Sequence, residues 1–257
     1  MNVVVGKQFK QKNKMSVLKN QLTQYLFIDI ETVSNYRTFD AFYEANPRLA
    51  ELWLKKSKKF YELPEYKDIP DVDNAIYFDK ASIYPEFGRI VAITLGFFDA
   101  EMKKRLKVIS SDNELEILTE LVATLKSIEE KVKGKANILF GHNISSFDVP
   151  YIAKRFVFNG YTIPNLFNFA GKKPWQLEES IFDTMTTFKF GSFEIISFDL
   201  LCAMMNVESP KKVMDGSEVN MFYYTSEDGL NLISEYNKSD VSALMDVSIK
   251  LSELRNL

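Results

Sequence analysis

The spacing of apolar and polar positions predicts strands at four places in the chain. Residues 25–31 are apolar on both faces until their last positions, as expected of a central strand covered on both sides. Residues 89–98 form a second apolar run, and a short polar break separates it from 105–110, which predicts a hairpin. A fourth, short buried strand is predicted at 138–140.

Helical periodicity covers much of the segment near 39–70, which we interpret as an insertion. Residues 39–60 are expected to be helical, and 64–70 irregular because of its prolines. The residues of this segment expected to contact the core are Phe42, Leu49, Leu52 and Trp53.

Three further helices follow later in the chain. Ser111 and Glu114 have the spacing of a capping box, which predicts that a helix begins there. A helix over 147–158 ends at an Asn-Gly pair, and the remainder of the chain is expected to be largely helical, with a long amphipathic helix over 229–254.

This order of elements predicts an α/β fold, with helices on both faces of a sheet. In such folds ligands gather at the carboxyl ends of strands. Asp29 and Glu31, the polar exceptions in the first strand, occupy that position.

Composition permits a sizeable core but identifies no partner. The 257 residues are 46% apolar and 14% aromatic, which suits a single domain spanning 21–257. A formal net charge of -3 neither supports nor excludes a nucleic-acid partner. The first twenty residues carry five lysines and no acid; we expect a disordered basic tail at 1–20, with a phosphate-binding arm as the alternative.

Two further features of the sequence predict the cellular location of the protein and the state of its cysteine. No apolar run is long enough to span a bilayer and no signal region is present, so the sequence predicts a cytoplasmic protein. The single cysteine, Cys202, lies in an apolar helical stretch, which predicts a buried, inert thiol.

Asp29 and Glu31 carry the first chemical signal. Residues two apart on a strand point to the same side, so both carboxylates converge on one small volume. They repel each other unless a cation or a proton lies between them, and Mg²⁺ or Mn²⁺ prefers such oxygen ligands. The Asp-x-Glu pattern recurs at 99–101 and 112–114, where a turn and a helix start explain it, so position at a buried strand distinguishes the first pair.

Tyr236 and Asp240 are four apart and share one face of the last helix. Asp240 lies within an apolar frame, where an unpartnered charge is costly. The alternative is a solvated helix face that carries Asn237, Lys238 and Asp240.

Residues before the 147–158 helix have structural as well as functional interpretations. Asp148 could cap that helix, and Asn143 and Phe147 could order its entry loop. His142, the only histidine, is interpreted as a packed or surface residue rather than a general base.

Taken in order, the segments 27–32, 143–148 and 236–240 resemble the three motifs of the DEDD exonucleases, in their tyrosine branch. More closely, the chain is similar to the stand-alone family related to the proofreading exonuclease domain of B-type DNA polymerases. Other segments that fit this family are 84–91, 197–201 and 211–216. The resemblance covers nearly the whole chain except the tail and the insertion.

The resemblance implies a ribonuclease H-like fold, with a mixed five-stranded sheet whose first strand is central. It also implies two divalent cations, Mg²⁺ or Mn²⁺: one held by Asp29, Glu31 and Asp240, the other by Asp29, Asp148 and the scissile phosphate. Two such cations stabilise the attacking and leaving oxygens, and Tyr236 would orient the attacking water. The implied contacts to substrate are Thr32, Asn143, Phe147, Lys211 and Lys212, although the two lysines could equally be ordinary surface residues.

The function expected from the resemblance is removal of nucleotides from single-stranded 3' ends, of DNA in preference to RNA. A 3'-5' exoribonuclease is an open alternative, because the same metal pair hydrolyses either backbone. A non-catalytic nucleic-acid-binding module would be expected to lose some carboxylates, and all four are present. A ribonuclease H-type endonuclease is a less favoured alternative, because the second and third motifs have no role in such an enzyme.

Overall fold

The computed structural model describes residues 22–132, 136–209 and 214–254, and the predicted basic tail therefore lies outside the described residues. The strands are β1 (Tyr25–Ser34), β2 (Gly88–Phe98), β3 (Lys104–Ser110), β4 (Ile138–Gly141) and β5 (Ile181–Asp183). Short 3-10 turns lie at Leu22–Gln24, Lys58–Phe60, Pro64–Tyr66, Ala81–Ile83, Asn165–Phe167 and Gly216–Glu218.

The α-helices of the described residues surround this sheet. They are α1 (Phe39–Ala45), α2 (Pro47–Ser57), α3 (Val72–Lys80), α4 (Glu114–Val132), α5 (Asp148–Phe158), α6 (Pro174–Leu177), α7 (Thr184–Thr187), α8 (Phe198–Met204), α9 (Val219–Thr225) and α10 (Gly229–Ser252).

The strands form one mixed sheet in the order β3-β2-β1-β4-β5, so β1 is central as expected. β1 pairs antiparallel with β2 over most of its length, and β2 pairs antiparallel with β3 as the predicted hairpin. On its other side β1 pairs parallel with β4, but only over Tyr25, Leu26 and Phe27. Beyond Phe27, no strand in the described part of the chain pairs with the edge of β1 that faces β4.

Alternate side chains of β1 supply two cores, one on each face of the sheet. Leu26, Ile28 and Ile30 belong to a cluster with residues of α4 and α5. Tyr25 and Phe27 belong to a second cluster with residues of α8 and α10. Both faces are thus covered, as predicted, and Cys202 is buried within the second cluster.

The segment interpreted as an insertion is largely helical, and its Phe42 and Trp53 are buried in an apolar cluster that also includes Tyr77 and Phe87 from outside the segment. The predicted 39–60 helix is interrupted, because Asn46 caps α2 through its side chain and Pro47 begins that helix. Leu52 was expected in the core but is exposed. The division into one domain with an insertion stays a prediction.

Three sequence predictions for the sheet and its flanks were incomplete or wrong. β1 continues to Ser34, so Asp29 and Glu31 lie within the strand rather than at its end. β5 was not predicted, because its three residues are too few to show a pattern. The capping box at Ser111 is wrong: Ser111 bonds Glu116, while Glu114 is buried in an ion pair.

That ion pair joins α4 to α5. The Arg155 guanidinium donates to both oxygens of Glu114, with an Nη2 to Oε2 distance of 2.5 Å. Glu114 also accepts from the Ile90 amide, and Arg155 also donates to the Pro85 carbonyl.

None of the described helices is both long and apolar enough to cross a membrane.

Replacing Arg155 with methionine should lower the free energy of unfolding by about 3 kcal/mol, because Glu114 would remain buried without a compensating charge. Lys107→Met is the control, since Lys107 pairs with Glu120 at a site where both side chains are about half exposed, and should cost less than about 1 kcal/mol. Denaturant unfolding measures both changes, and equal losses would contradict a dominant role for the buried pair.

Candidate metal centre

A polar island interrupts the apolar interface between β1 and α10. The β1 side chains on this face are Tyr25, Phe27, Asp29, Glu31 and Val33, since residues two apart share a face. Tyr25 and Phe27 pack in the apolar cluster of α10, and Val33 packs with Ile233 and Tyr236. The two carboxylates lie between these apolar contacts.

α10 carries a matching interruption. Its inward stripe repeats at helical spacing through Ile233, Asn237, Asp240, Leu244, Val247 and Leu251. Asn237 is fully buried and Asp240 is only 7% exposed. The alternative of a solvated helix face carrying these two residues is therefore wrong.

Three carboxylates converge at this island. Asp29, Glu31 and Asp240 each offer an oxygen atom, and these atoms all lie within 4.8 Å of one another. Asn237 Nδ2 donates to Asp29 Oδ2 at 2.6 Å and also hydrogen bonds to Glu31. A register shift in the β1–β2 pairing follows directly after Glu31, and such irregularities re-aim side chains beside functional sites.

The electrostatics of the cluster disfavour its charged form. Burial raises the pKa of Asp29 and Glu31 well above their usual range, and repulsion from Asp240 and Asp148 adds to this effect. The hydrogen bonds from Asn237 act in the opposite direction without compensating for it.

Asp148 approaches the cluster from the free edge of β1. Its Oδ1 accepts from the Ile30 amide at 3.0 Å, at a position where β4 no longer pairs with β1. Burial raises the pKa of Asp148 to about 7, despite the hydrogen bonds from backbone amides. Asp148 is the first residue of α5 and does not cap it; Phe147 occupies the cap position and makes no side-chain cap bond.

Tyr236 lies beside the carboxylates on α10. Burial raises the pKa of its hydroxyl above the usual value, and the charges of Asp240, Glu31 and Asp29 raise it further. The hydroxyl also hydrogen bonds to Asp240. Tyr236 therefore remains protonated and acts as a donor rather than a base.

The remaining predicted site residues have different surroundings. Thr32 is buried, and its hydroxyl donates to the Ser82 carbonyl at 2.9 Å. Asn143 and Phe147 are partly exposed in the loop before α5. Lys211 and Lys212 lie outside the described residues, and the substrate contacts of all five stay predictions.

His142 is not part of the carboxylate cluster. Its Nδ1 lies 2.9 Å from the Thr184 hydroxyl, and its ring contacts Phe198. Burial lowers the pKa of this histidine. These contacts agree with the interpretation of His142 as a packed residue.

The residues present fit a divalent cation. All side-chain atoms that converge are oxygens apart from the Asn237 amide nitrogen, and hard divalent cations prefer oxygen ligands. The Asn237 Oδ1 atom is buried and has no hydrogen-bond partner among the described residues, so an acceptor beside the cluster is unsatisfied. A bound cation would offset the repulsion among the carboxylates.

Comparison with known families identifies the chain. The family model of the DNA polymerase family B exonuclease domain matches residues 75–214, more than half of the sequence. This protein belongs to that family. Membership supports a nuclease function, and exonuclease domains of this kind use divalent metal ions. Asp148 lies within the match, whereas Asp29, Glu31 and Asp240 lie outside it.

Structural similarity supports the same assignment. The family B DNA polymerase of the hyperthermophilic archaeon Pyrobaculum calidifontis has a similar fold, with a TM-score of 0.52 and 13% sequence identity. The similarity covers 88% of this chain and 24% of the polymerase chain. The five-stranded mixed sheet is thus the ribonuclease H-like fold of the polymerase exonuclease domain, as predicted. Among curated proteins, none matches the sequence significantly.

Sequence reasoning assigned no role to two buried polar residues near the site. Asn237 was named only in the alternative of a solvated helix face, although its position in the apolar stripe of α10 could have indicated burial. Asp183 is the last residue of strand β5, which was not predicted. The one indication of its role in the sequence is its position directly before Thr184, where an aspartate can cap a helix.

Asp240→Asn should raise the melting temperature of the chelator-treated protein, because it removes one repelling charge from a buried cluster. In a domain of this size each kcal/mol corresponds to about 2–4 °C. The variant should also lose the rise in melting temperature that Mn²⁺ gives the unaltered protein. Glu235→Gln, an exposed change on the same helix, is the control and should keep that rise. A full Mn²⁺ response in Asp240→Asn would show that Asp240 is no ligand.

Proposed function

We propose that this protein is a metal-dependent 3'-5' exonuclease that removes nucleotides from single-stranded 3' ends, with DNA as the preferred substrate. The observation that supports it most is the carboxylate cluster in an otherwise apolar interface, with Asp148 at its side. Such a cluster is costly unless a cation neutralises it, so its presence in this interface favours a role in metal binding over a purely structural one.

Asp29, Glu31, Asp240 and Asp148 would hold divalent cations, which when bound lower the pKa of water and neutralise charge on a phosphate. The protonated hydroxyl of Tyr236 can orient a water molecule or a phosphate oxygen by a hydrogen bond. Apolar contacts of β1 and α10 on either side limit access of bulk water to the carboxylates.

The substrate assignment rests on two observations. Phe147, directly before Asp148, is partly exposed while its ring packs against Tyr151, and the exposed part of an aromatic ring at this position can stack on the base of an unpaired nucleotide. The similar structure is that of a DNA polymerase. This similarity favours DNA over RNA as the substrate of this chain. An exoribonuclease remains the second candidate, because the same carboxylates would serve either backbone.

A 5'-labelled single strand incubated with Mg²⁺ or Mn²⁺ should yield a ladder that shortens one nucleotide at a time from the 3' end. Matched DNA and RNA strands, single and paired, identify the preferred polymer from their relative rates. Excess chelator should abolish the reaction, because carboxylates and a protonated tyrosine activate water poorly at neutral pH. Full hydrolysis with chelator, or a ladder from the 5' end, would contradict the proposal.

Asp29→Ala should abolish turnover and leave the protein folded, since it removes a carboxylate that contacts no favourable charge in the cluster. Glu101→Ala is the matched control, because Glu101 belongs to another Asp-x-Glu sequence, in the exposed β2–β3 turn. Circular dichroism checks the fold, and single-turnover hydrolysis measures activity. Wild-type rates in Asp29→Ala would make the assignment of this cluster wrong.

Tyr236→Phe should slow hydrolysis by about 10-fold to 100-fold and leave metal binding unchanged, because it removes an orienting hydroxyl but keeps the packed ring. Tyr161→Phe, at an exposed tyrosine, should have no effect. Single-turnover rates at saturating metal compare the two variants. Equal rates in Tyr236→Phe and the unaltered protein would remove Tyr236 from the reaction.

A further inference from the structure

Asp183 is a buried carboxylate outside the cluster that joins two loops at the ends of the parallel strands. It is the last residue of β5 and is 4% exposed. Its Oδ1 accepts from the amides of Asn143, Met185 and Thr186 at 2.9, 3.0 and 3.3 Å. Its Oδ2 accepts from the amide and the hydroxyl of Ser145 at 2.9 and 2.5 Å.

The bonds to Met185 and Thr186 cap the four-residue helix α7, which is a local role. The other three bonds cross about forty residues of sequence to the loop between β4 and α5. That loop contains Asn143, whose φ of 63° places a non-glycine residue in the left-handed region. An unfavourable backbone conformation of this kind persists where the surroundings enforce it.

The loop held by Asp183 fixes the start of α5. The Asn143 carbonyl accepts from the amides of Ser146 and Phe147, and the Ile144 carbonyl accepts from the amide of Val149. Asp148 lies between these bonds, as the first residue of α5. Its side chain is thereby directed at the Ile30 amide, 118 residues earlier in the chain.

We propose that Asp183 is a positioning residue for Asp148, acting through the 142–147 loop to keep Asp148 beside the carboxylates of β1. The inference rests on the proposed function, because it assigns a purpose to the position of Asp148. Asp183 itself is fully engaged by backbone and hydroxyl donors and contacts neither metal nor substrate in this role.

Asparagine is the most informative replacement for Asp183. Both carboxylate oxygens of Asp183 face donors only, so in D183N the new amide group would have to direct its own donors at either Ser145 or Asn143. Ser145→Ala is the milder variant, because it removes the hydroxyl donor and keeps the amide donor. Asp99→Asn is the control: Asp99 accepts from the amides of Glu101 and Lys103 in the β2–β3 turn, away from the loop.

The first measurement is hydrogen exchange of the metal-free protein, resolved by NMR for single amides. In D183N the Ile30 amide should exchange about tenfold faster relative to the amides of β2, because its acceptor has moved. S145A should raise the ratio of the Ile30 exchange rate to the exchange rates of the β2 amides by a smaller factor, and D99N should leave this ratio unchanged. An unchanged ratio in folded D183N, or in S145A if D183N fails to fold, would overturn the proposal.

The second measurement is the Mn²⁺ concentration that gives half of the maximal hydrolysis rate. It should rise about 10-fold to 100-fold in D183N, and saturating Mn²⁺ should restore part of the rate. In D99N it should not change. An unaltered protein without activity would contradict the proposed function, whereas an active protein whose D183N variant keeps its Mn²⁺ dependence would contradict only the role of Asp183.

Discussion

The end of strand β4 at Gly141 is the constraint on which the site depends. A side chain at this position would meet Ile144 Cγ2 at 2.3 Å and the Ile28 carbonyl at 2.9 Å, so the chain can turn away from β1 here only at a glycine. Beyond this turn β1 has a free edge, and the Ile30 amide finds its acceptor in Asp148 instead of a strand. The fold therefore places a carboxylate from α5 beside those of β1 by satisfying a backbone group.

The interface between β1 and α10 holds the carboxylates of the cluster together. Apolar contacts on both sides of Asp29 and Glu31 hold the strand and the helix together, and the carboxylates must tolerate each other within that frame. Asn237 reduces the penalty by donating to both residues of β1. Apolar packing thus offsets part of the repulsion that a bound cation would remove.

The long elements were predicted from the patterns of their residues, whereas the full set of clustered carboxylates was predicted from the resemblance to the DEDD motifs. β2 and α10 have many residues in one periodic pattern, and Asp29 and Glu31 interrupt a strand that is otherwise apolar. Burial of Asn237 was missed because polar residues on a helix usually face solvent. The ion pair of Glu114 with Arg155 was missed for a related reason, since local capping explained Glu114 without its partner 41 residues away.

The contacts of Asp148 and Asp183 illustrate a second limit. One bond from the Ile30 amide to Asp148 and three bonds from the 142–147 loop to Asp183 join residues far apart in sequence. Their geometry depends on where β4 ends. The strand β5 that carries Asp183 has only three residues. A pattern of period two needs a longer segment to be distinguished from a loop.

The central claim is that Asp29, Glu31 and Asp240 form a metal centre, and anomalous scattering from a crystal soaked in Mn²⁺ tests it most directly. We expect an anomalous peak at about 2.0–2.3 Å from an oxygen of each of the three carboxylates. The same crystal soaked with chelator should lack the peak. Saturating Mn²⁺ with no peak among these three residues would contradict the claim.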